Sequence, residues 1–169
     1  MAAELGASGF TLDAVAARTT VSKGALLHHF PSKIALLEGM VDHLGRMHTD
    51  MILAEAARDP EPYGRNARAY LRATVNEPVT PQDVSIGRVI MAACAIDPGL
   101  SQRWNNWIDK VKIDDPCDPV GADDALMLRL IADGLWMSDL FGTHRVSPEQ
   151  RQALLSLLTP GHPITANDA

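Results

Sequence analysis

The sequence has few of the features on which membrane and secreted proteins depend. Its longest unbroken apolar run, Val89 to Ile96, has eight residues, far fewer than the roughly 20 that cross a bilayer. The two cysteines, Cys94 and Cys117, have neither metal-site spacing nor the number that a disulfide framework needs. The start "MAAELGASG" lacks the basic and apolar segments of a signal peptide. We therefore expect a cytoplasmic protein without membrane contact.

Positive charge and aromatic side chains are also scarce. Lys and Arg number 15 against 21 Asp and Glu, and the net charge is −6. In residues 1–45 three cations face four carboxylates, which is a weak electrostatic basis for binding nucleic acid. Aromatic residues make up 5% of the chain and hydrophobic residues 46%. The sequence therefore indicates a core that is mainly aliphatic.

Helical periodicity recurs along the chain, and no strand-like alternation persists. Thr11 is suited to cap a first helix, in which Leu12, Val15 and Ala16 fall at i, i+3 and i+4. Segments rich in Pro, Gly and Asp separate the helices that follow. These are predicted at 22–29, 32–57, 65–76, 81–96, 100–112, 122–141 and 148–158. The predicted fold class is all-α.

The stretch "VSKGALLHHFPSK" joins the predicted first helix to the long helix. Two short helices with a tight connection, followed by a long helix, form a helix-turn-helix pattern, whose second helix enters the major groove of DNA. Ser22 is placed to meet a phosphate at the helix start, and Lys23 to reach a base edge or a phosphate. Gly24 and Ala25 are small enough for close approach to the groove. Lys33 is placed to meet a second phosphate.

The segment "GFTLDAVAARTTVSKGALLHHFPSKIALLEGMV", residues 9–41, resembles the DNA-binding domain of the TetR/AcrR family of bacterial repressors. "LIADGLWMSDLFG" (130–142), followed by "SPEQRQALLSLL", is similar to the last two helices of many members. The resemblance implies an N-terminal helix-turn-helix DNA-binding domain in 1–45. A C-terminal helical bundle for ligand binding and dimerisation is implied in 46–160, before a tail in 161–169.

Carried over residue by residue, the resemblance implies DNA contacts in and around the second helix. The implied positions are Thr11, Ser22, Lys23, Gly24, Ala25, Leu27, His28, His29 and Lys33. Phe30 is implied to be a core residue that anchors this helix. Two positions depart from the family pattern: many members have Tyr where this chain has Leu27, and most have Gly where it has Thr20. A β-branched residue is strained at Thr20 if the turn requires positive φ.

The first helix of family members usually begins well before Gly6, whereas only Ala2 to Leu5 and the initial methionine precede that position here. We therefore expect a longer first helix in the natural product. The alternative interpretation is a ligand-binding regulatory protein of the same fold that has lost DNA binding, which the low positive charge of residues 1–45 also favours. A small all-α enzyme is a second alternative. No nucleophile–base pair or Gly-rich phosphate loop supports it, so we predict no catalytic residue.

The adjacent histidines His28 and His29 admit three interpretations: a metal site, a structural role, or contact with DNA. Neighbouring helical residues point about 100° apart, whereas zinc is bound by i, i+4 pairs or closed Cys/His sets. "DDPCDP" (114–119) offers carboxylates and a thiol without a second cluster to complete a site. We predict DNA contact for both histidines, and neither a metal nor a cofactor.

Large apolar residues, including all three tryptophans, are concentrated after the DNA-binding segment. Core packing explains each of them singly, but methionines and aromatics together are typical of adaptable apolar pockets. A buried indole N–H also needs a partner, which a ligand can supply. We predict contacts with a small hydrophobic effector from His43, Met47, Met51, Ile90, Met91, Cys94, Trp104, Trp107, Trp136 and Phe141. The alternative is a solid core with the tryptophans at helix junctions or at a dimer interface.

The segment 122–141 is apolar on more than one face, so a single chain would leave part of it uncovered. We predict a homodimer in which 122–141 and 148–158 of two chains form a four-helix interface. Together these expectations describe a bacterial, non-enzymatic transcription regulator. It would be a repressor that binds a palindromic operator and is released by a small hydrophobic effector.

Overall fold

A computed structural model describes residues 22–77, 79–112 and 122–158. The chain forms seven helices in these ranges and no strand, which confirms the predicted all-α fold. They are α1 (Lys23–His29), α2 (Lys33–Ala56), α3 (Arg65–Asn76), α4 (Pro81–Ile96), α5 (Pro98–Lys110), α6 (Ala122–Phe141) and α7 (Pro148–Leu158). The described residues divide into two compact units. Unit one contains 22–49 and 79–110; unit two contains 50–77, 111–112 and 122–158.

Polar side chains at the helix starts explain several of these bounds. Ser22 Oγ accepts a hydrogen bond from the backbone N–H three residues later at 3.2 Å, and Ser32 Oγ does the same at 3.1 Å. Before α4, Thr80 Oγ1 accepts from the N–H of Asp83 at 3.2 Å, and the Asp83 carboxylate accepts from the N–H of Thr80 at 3.0 Å. This reciprocal pair is a capping box, which satisfies backbone donors that a helix start leaves unpaired.

Aliphatic side chains from α1, α2, α4 and α5 form the core of unit one. Its buried members are Leu26, Leu36, Leu37, Val41, Val89, Ile90 and Leu100. Phe30 packs against this core, as predicted. A Cβ added to Gly39 would lie 2.7 Å from Cε1 of Phe30, so the ring approaches α2 more closely than any larger residue would allow. Leu26 and Phe30 therefore hold α1 on the same core that receives α4 and α5.

A cluster around Asp42, here called the Asp42 cluster, joins α2 to α5 in unit one. The two Asp42 carboxylate oxygens accept hydrogen bonds from Nη1 of Arg103 at 2.8 Å and from the indole N–H of Trp107 at 3.0 Å. The Trp107 ring lies against Gly45, where an added Cβ would be 2.5 Å from Cγ of the indole. Nζ of Lys110 lies 3.4 Å from the ring centroid, a cation–π contact. These contacts position α5 on α2.

In unit two, α3 packs along α6 and also contacts α7. Ala67, Ala69 and Leu71 of α3 are fully buried. The Tyr70 hydroxyl donates a hydrogen bond to Oδ1 of Asp133 at 2.6 Å. Burial, together with the negative charge of Asp133, raises the pKa of Tyr70 well above its ordinary value. The phenol therefore stays protonated and serves as a hydrogen-bond donor between α3 and α6.

Asp59, which follows α2, is a buried carboxylate that binds two arginines of α3. It accepts hydrogen bonds from Nε of Arg68 at 2.8 Å and from Nη2 of Arg68 at 3.0 Å, and it also contacts Arg72. Burial by itself would raise the pKa of Asp59, but the hydrogen bonds from Arg68 and Arg72 lower that pKa well below its usual range. These two ion pairs fix the segment after α2 to α3.

The length and apolar composition of the helices bear on the expectation of no membrane contact. Within the described ranges no single helix is both long and apolar enough to cross a bilayer. α4 and α5 reach the necessary length and composition only as a pair, and they are bent by 118° at their junction.

Candidate functional site

In α1, the predicted DNA contacts whose side chains the structure describes lie on the side of the helix that faces away from the core. Leu26 is buried, while the predicted contact residues of this segment whose side chains are described are exposed: Ser22, Gly24, Ala25, Leu27, His28 and His29. Lys23 is the first residue of α1, and the exposed Lys33 is the first residue of α2. Thr11 lies outside the described residues, as does Thr20. The structure thus brings these described positions onto two successive helix starts and the exposed face of α1.

The exposed face of α1 combines a small residue with two imidazoles. A Cβ added to Gly24 would meet no atom within 4 Å, so packing in unit one does not require glycine there. The His28 and His29 rings meet edge to face, with centroids 5.4 Å apart and planes at 85°. Imidazoles donate and accept hydrogen bonds, which suits contacts with phosphates and base edges. Among the described residues, no three His, Cys, Asp or Glu side chains are grouped as metal ligands would be.

The predicted effector contacts are distributed over both units. Those in unit one are His43, Met47, Ile90, Met91, Cys94, Trp104 and Trp107; those in unit two are Met51, Trp136 and Phe141. In unit one, Ile90 belongs to the buried core, and Met91, Cys94 and Trp104 pack against it. The structure therefore brings four of the predicted contacts together around one core.

The remaining predicted contacts differ widely in exposure. His43 and Met47 are exposed on α2, and Phe141 is exposed at the end of α6, whereas Met51 and Trp136 are half-buried. The indole N–H of Trp107 is bonded to Asp42, so no ligand is needed to satisfy this donor. Trp104 stacks on His48 with ring centroids 6.4 Å apart.

Cys94 is half-buried beside the core of unit one. Burial, and to a smaller extent the charge of Asp97, raises the pKa of the Cys94 thiol. The thiol is therefore protonated at neutral pH and acts as a small apolar side chain.

Unit one contains an apolar groove that the sequence did not indicate. It is formed by the first turns of α2, the last turns of α4 and the start of α5. Its volume is about 230 Å³, and it is lined by Lys33, Ile34, Leu37, Val89, Ala92, Ala93, Ile96, Asp97 and Leu100. Of these residues Lys33 belongs to the predicted DNA contacts, and Val89 belongs to the apolar run Val89 to Ile96, which was expected to form one wall of the effector pocket. The sequence feature that could have indicated the groove is the presence of apolar residues next to helix ends, such as Ile34 and Ile96. Their large separation in sequence hides that they share a groove.

One face of α6 carries an apolar stripe that unit two does not cover. Leu128 and Leu135 are buried on one side of the helix, together with Ala125 and Ala132. On the opposite side, exposed residues recur at helical spacing: Met127, Leu130, Gly134, Met137 and Phe141. A Cβ added to Gly134 would meet no atom within 4 Å. The stripe lies in the segment predicted to dimerise.

Comparison with known families covers both ends of the chain. The family model "Bacterial regulatory proteins, tetR family" matches residues 1–40. The model "Tetracyclin repressor-like, C-terminal domain" matches residues 64–160. No curated protein matches the chain. Because the C-terminal model alone covers more than half of the sequence, the chain belongs to the TetR family and is a DNA-binding transcriptional regulator.

Proposed function

We propose that the chain is a repressor, bound as a homodimer to a palindromic operator and released from it by a small hydrophobic effector. One observation carries the proposal. Leu26 and Phe30 of α1 pack on the core to which Ile90 of α4 and Leu100 of α5 also belong. The helix that faces DNA and the helices that hold predicted effector contacts thus share one set of packed side chains.

This shared core supplies a physical route from effector to DNA. Protein cores are packed as densely as organic crystals, so a ligand that displaces Met91, Cys94 or Trp104 also shifts their neighbours. In a dimer, the two recognition helices must match half-sites about 34 Å apart. A shift of α1 reduces this match, and we therefore assign release to the effector-bound state. Coupling free energies of about 1–3 kcal/mol are typical and correspond to operator binding roughly 5- to 150-fold weaker.

Two kinds of contact with DNA are assigned to unit one. The exposed residues of α1, including His28 and His29, contact base edges and neighbouring phosphates. Lys33 contacts a phosphate, because its charge stands at the start of α2 and is exposed. Phosphate contacts position a protein on DNA without reading sequence, whereas base-edge contacts specify the site.

The apolar stripe of α6 is assigned to the dimer interface together with α7. Leu130 is 60% exposed and Phe141 55% exposed in the single chain, and Leu157 of α7 is 77% exposed. Burying such side chains between two copies removes apolar surface from water. Because Gly134 has open space in front of it, two α6 helices are able to cross closely at that point.

The test measures binding of the full chain to duplex DNA from the region upstream of its own gene. Binding is monitored by fluorescence anisotropy at several salt concentrations. Lys33→Ala should lower the slope of log K against log salt by about 0.9, because one phosphate contact is lost. Arg46→Ala is the matched control, since Arg46 is an exposed cation of the same helix away from the assigned surface. Equal slopes for wild type, Lys33→Ala and Arg46→Ala would remove Lys33 from the interface.

The alternative function is that of a ligand-binding regulatory protein that does not bind DNA. The excess of carboxylates in residues 1–45 favours it, since DNA affinity depends strongly on clustered positive charge. The same titration separates the two functions. Binding of a small apolar compound together with no detectable affinity for the upstream duplex at low salt would establish the alternative.

A further inference from the structure

We propose that the apolar groove of unit one binds a free carboxylate with an alkyl chain of medium length. We further propose that this ligand competes with DNA for Lys33. The second statement rests on the proposed function, whereas ligand binding itself does not. None of the ten predicted effector contacts lines the groove. Its buried residues Leu37, Val89 and Leu100 belong to the core against which Met91, Cys94 and Trp104 pack.

The groove offers an apolar surface that the single chain leaves in contact with water. Ile96 is 82% exposed and Ile34 is 41% exposed at its rim, while Leu37, Val89 and Leu100 are buried. Ala92 and Ala93 also line the groove, and their small side chains leave space above them. An alkyl chain lying between the two isoleucines would cover apolar surface on both sides, which is favourable in proportion to the area removed from water.

The size of the groove limits the length of the ligand. A volume of about 230 Å³ holds about eight groups if each takes the roughly 30 Å³ that a water molecule occupies in the liquid. Sites for drug-sized ligands have volumes of about 300–1,000 Å³. The groove therefore fits a single alkyl chain of about eight carbons better than a polycyclic compound.

The charges at the groove determine the polar end of the ligand. Two charged residues line it, Lys33 and Asp97. Oδ1 of Asp97 accepts hydrogen bonds from the backbone N–H groups of Gly99 at 2.8 Å and Leu100 at 3.1 Å, so this carboxylate caps the start of α5. Within the described parts of the chain, Lys33 has no ion-pair partner. Lys33 thus supplies a cation for a ligand carboxylate. Asp97 keeps its negative charge, which favours a position of that carboxylate at the Lys33 end of the groove.

Competition follows from the position of Lys33 in both surfaces. An ammonium group that neutralises a ligand carboxylate no longer neutralises a DNA phosphate. A bound ligand should therefore weaken operator binding and lower its salt slope by about 0.9, the value for one phosphate contact. No movement of α1 is required for this effect.

The binding experiment uses isothermal titration of the full chain with octanoate, hexanoate and 1-octanol, without DNA. Octanoate should bind about 16-fold more tightly than hexanoate, since each buried methylene contributes about fourfold. Lys33→Gln should weaken octanoate binding about two- to fivefold, as expected for an exposed ion pair, and leave 1-octanol binding unchanged. Arg46→Gln removes an exposed cation elsewhere on α2 and should leave both unchanged.

A second pair of variants localises the alkyl chain. Ile96→Glu should weaken octanoate about tenfold or more, because it removes apolar contact and adds a like charge. The highly exposed position of Ile96 makes the variant compatible with folding. Val79→Glu is the matched control, an exposed apolar residue of unit one outside the groove lining. Equal effects of the two substitutions, or equal affinities of octanoate and hexanoate, would show that the alkyl chain does not bind in the groove.

The DNA arm separates this inference from the proposed function. Octanoate at saturating concentration should weaken binding of the upstream duplex by wild type but not by Lys33→Gln. If Lys33→Gln weakens DNA binding while octanoate does not bind the protein, the inference is wrong and the proposed function stands. If octanoate binds as expected but neither octanoate nor Lys33→Gln alters DNA binding, the groove stands and the proposed role of Lys33 at DNA is wrong.

Discussion

The two units hold their ionised side chains in different ways. In unit one, the side chains of Arg103 and Asp42 are 39% and 34% exposed. In unit two, those of Arg68 and Asp59 are 18% and 4% exposed. An exposed ion pair contributes about 0–1 kcal/mol, whereas removing one partner of a buried pair costs about 3–5 kcal/mol. The Arg103–Asp42 pair of unit one can therefore change at small cost, whereas the Arg68–Asp59 pair of unit two resists such change.

The largest effect should come from Asp59→Asn in unit two. The substitution leaves Arg68 without its carboxylate partner, and Arg72 with Glu55 alone at 4.0 Å, so the free energy of unfolding should fall by about 3–5 kcal/mol. The matched change in unit one is Asp42→Asn, where the amide oxygen can still accept from Trp107 and the expected loss is about 1 kcal/mol or less. Urea unfolding of the two variants measures the contrast. Equal losses would contradict the distinction between the units.

At low pH, the difference in free energy of unfolding between wild type and Asp59→Asn should become smaller. The pKa of Asp59 is lower in the folded chain than in the unfolded chain, so its ionised form adds stability above the unfolded pKa of about 3.9. That contribution should stay constant between pH 7 and pH 5 and decline as pH falls below about 4. The measurement is the difference in unfolding free energy between the two proteins across this range. A difference that is unchanged down to about pH 3 would show that the charge of Asp59 is not its source.

Dimerisation should depend on unit two through the stripe of α6. Met137→Glu places a charge in the proposed interface and should raise the dimer dissociation constant at least about thirtyfold, or about 2 kcal/mol. Val79→Glu makes the same change at an exposed apolar residue of unit one and should have no effect. Sedimentation over a dilution series gives both constants. Equal dimer dissociation constants for the Met137→Glu and Val79→Glu variants would show that the stripe is not part of the interface.

A smaller effect is expected from alanine at two glycines. At Gly45 the added Cβ would lie 2.5 Å from Cγ of Trp107, so Gly45→Ala should cost about 1–3 kcal/mol through overpacking. At Gly134 the Cβ meets no atom of its own chain within 4 Å, and alanine should raise helix stability by up to about 1 kcal/mol. Thermal unfolding at low protein concentration compares them. A stable Gly45→Ala variant would mean that the Asp42 cluster tolerates displacement of Trp107.

Most helix bounds were predictable because turn residues mark them in the sequence. α3, α4, α6 and α7 begin and end where the periodicity and the Pro-rich or Gly-rich breaks indicate. α5 is an exception: it was expected at 100–112 but runs from Pro98 to Lys110. The segment "DPG", residues 97–99, has the composition of a turn. Proline is favoured in the first helical turn, however, since its missing N–H would be unpaired there, and Asp97 caps that turn.

The placement of the candidate site residues was predictable only where they lie along one helix. The exposed face of α1 and the apolar stripe of α6 are visible in local spacing, because residues at i, i+3 and i+7 share a face. Pairings between helices were not visible. Nothing in the sequence assigns Asp42 to Trp107, or Lys33 to the same groove as Ile96, since many carboxylates and isoleucines have equivalent local patterns. The exposure of Met47 and Phe141 likewise depends on which face of each helix its unit covers.

Sequence-specific DNA binding by the full chain is the property on which the proposed function depends most. The full chain is titrated into a labelled duplex from upstream of its own gene, and separately into a duplex of the same length and composition with scrambled sequence, at physiological salt. Binding to the upstream duplex should be tighter than binding to the scrambled duplex by about a thousandfold or more, the usual lower range for specific regulators. Equal affinity for the two duplexes, or no binding to either at low salt, would contradict the proposed function.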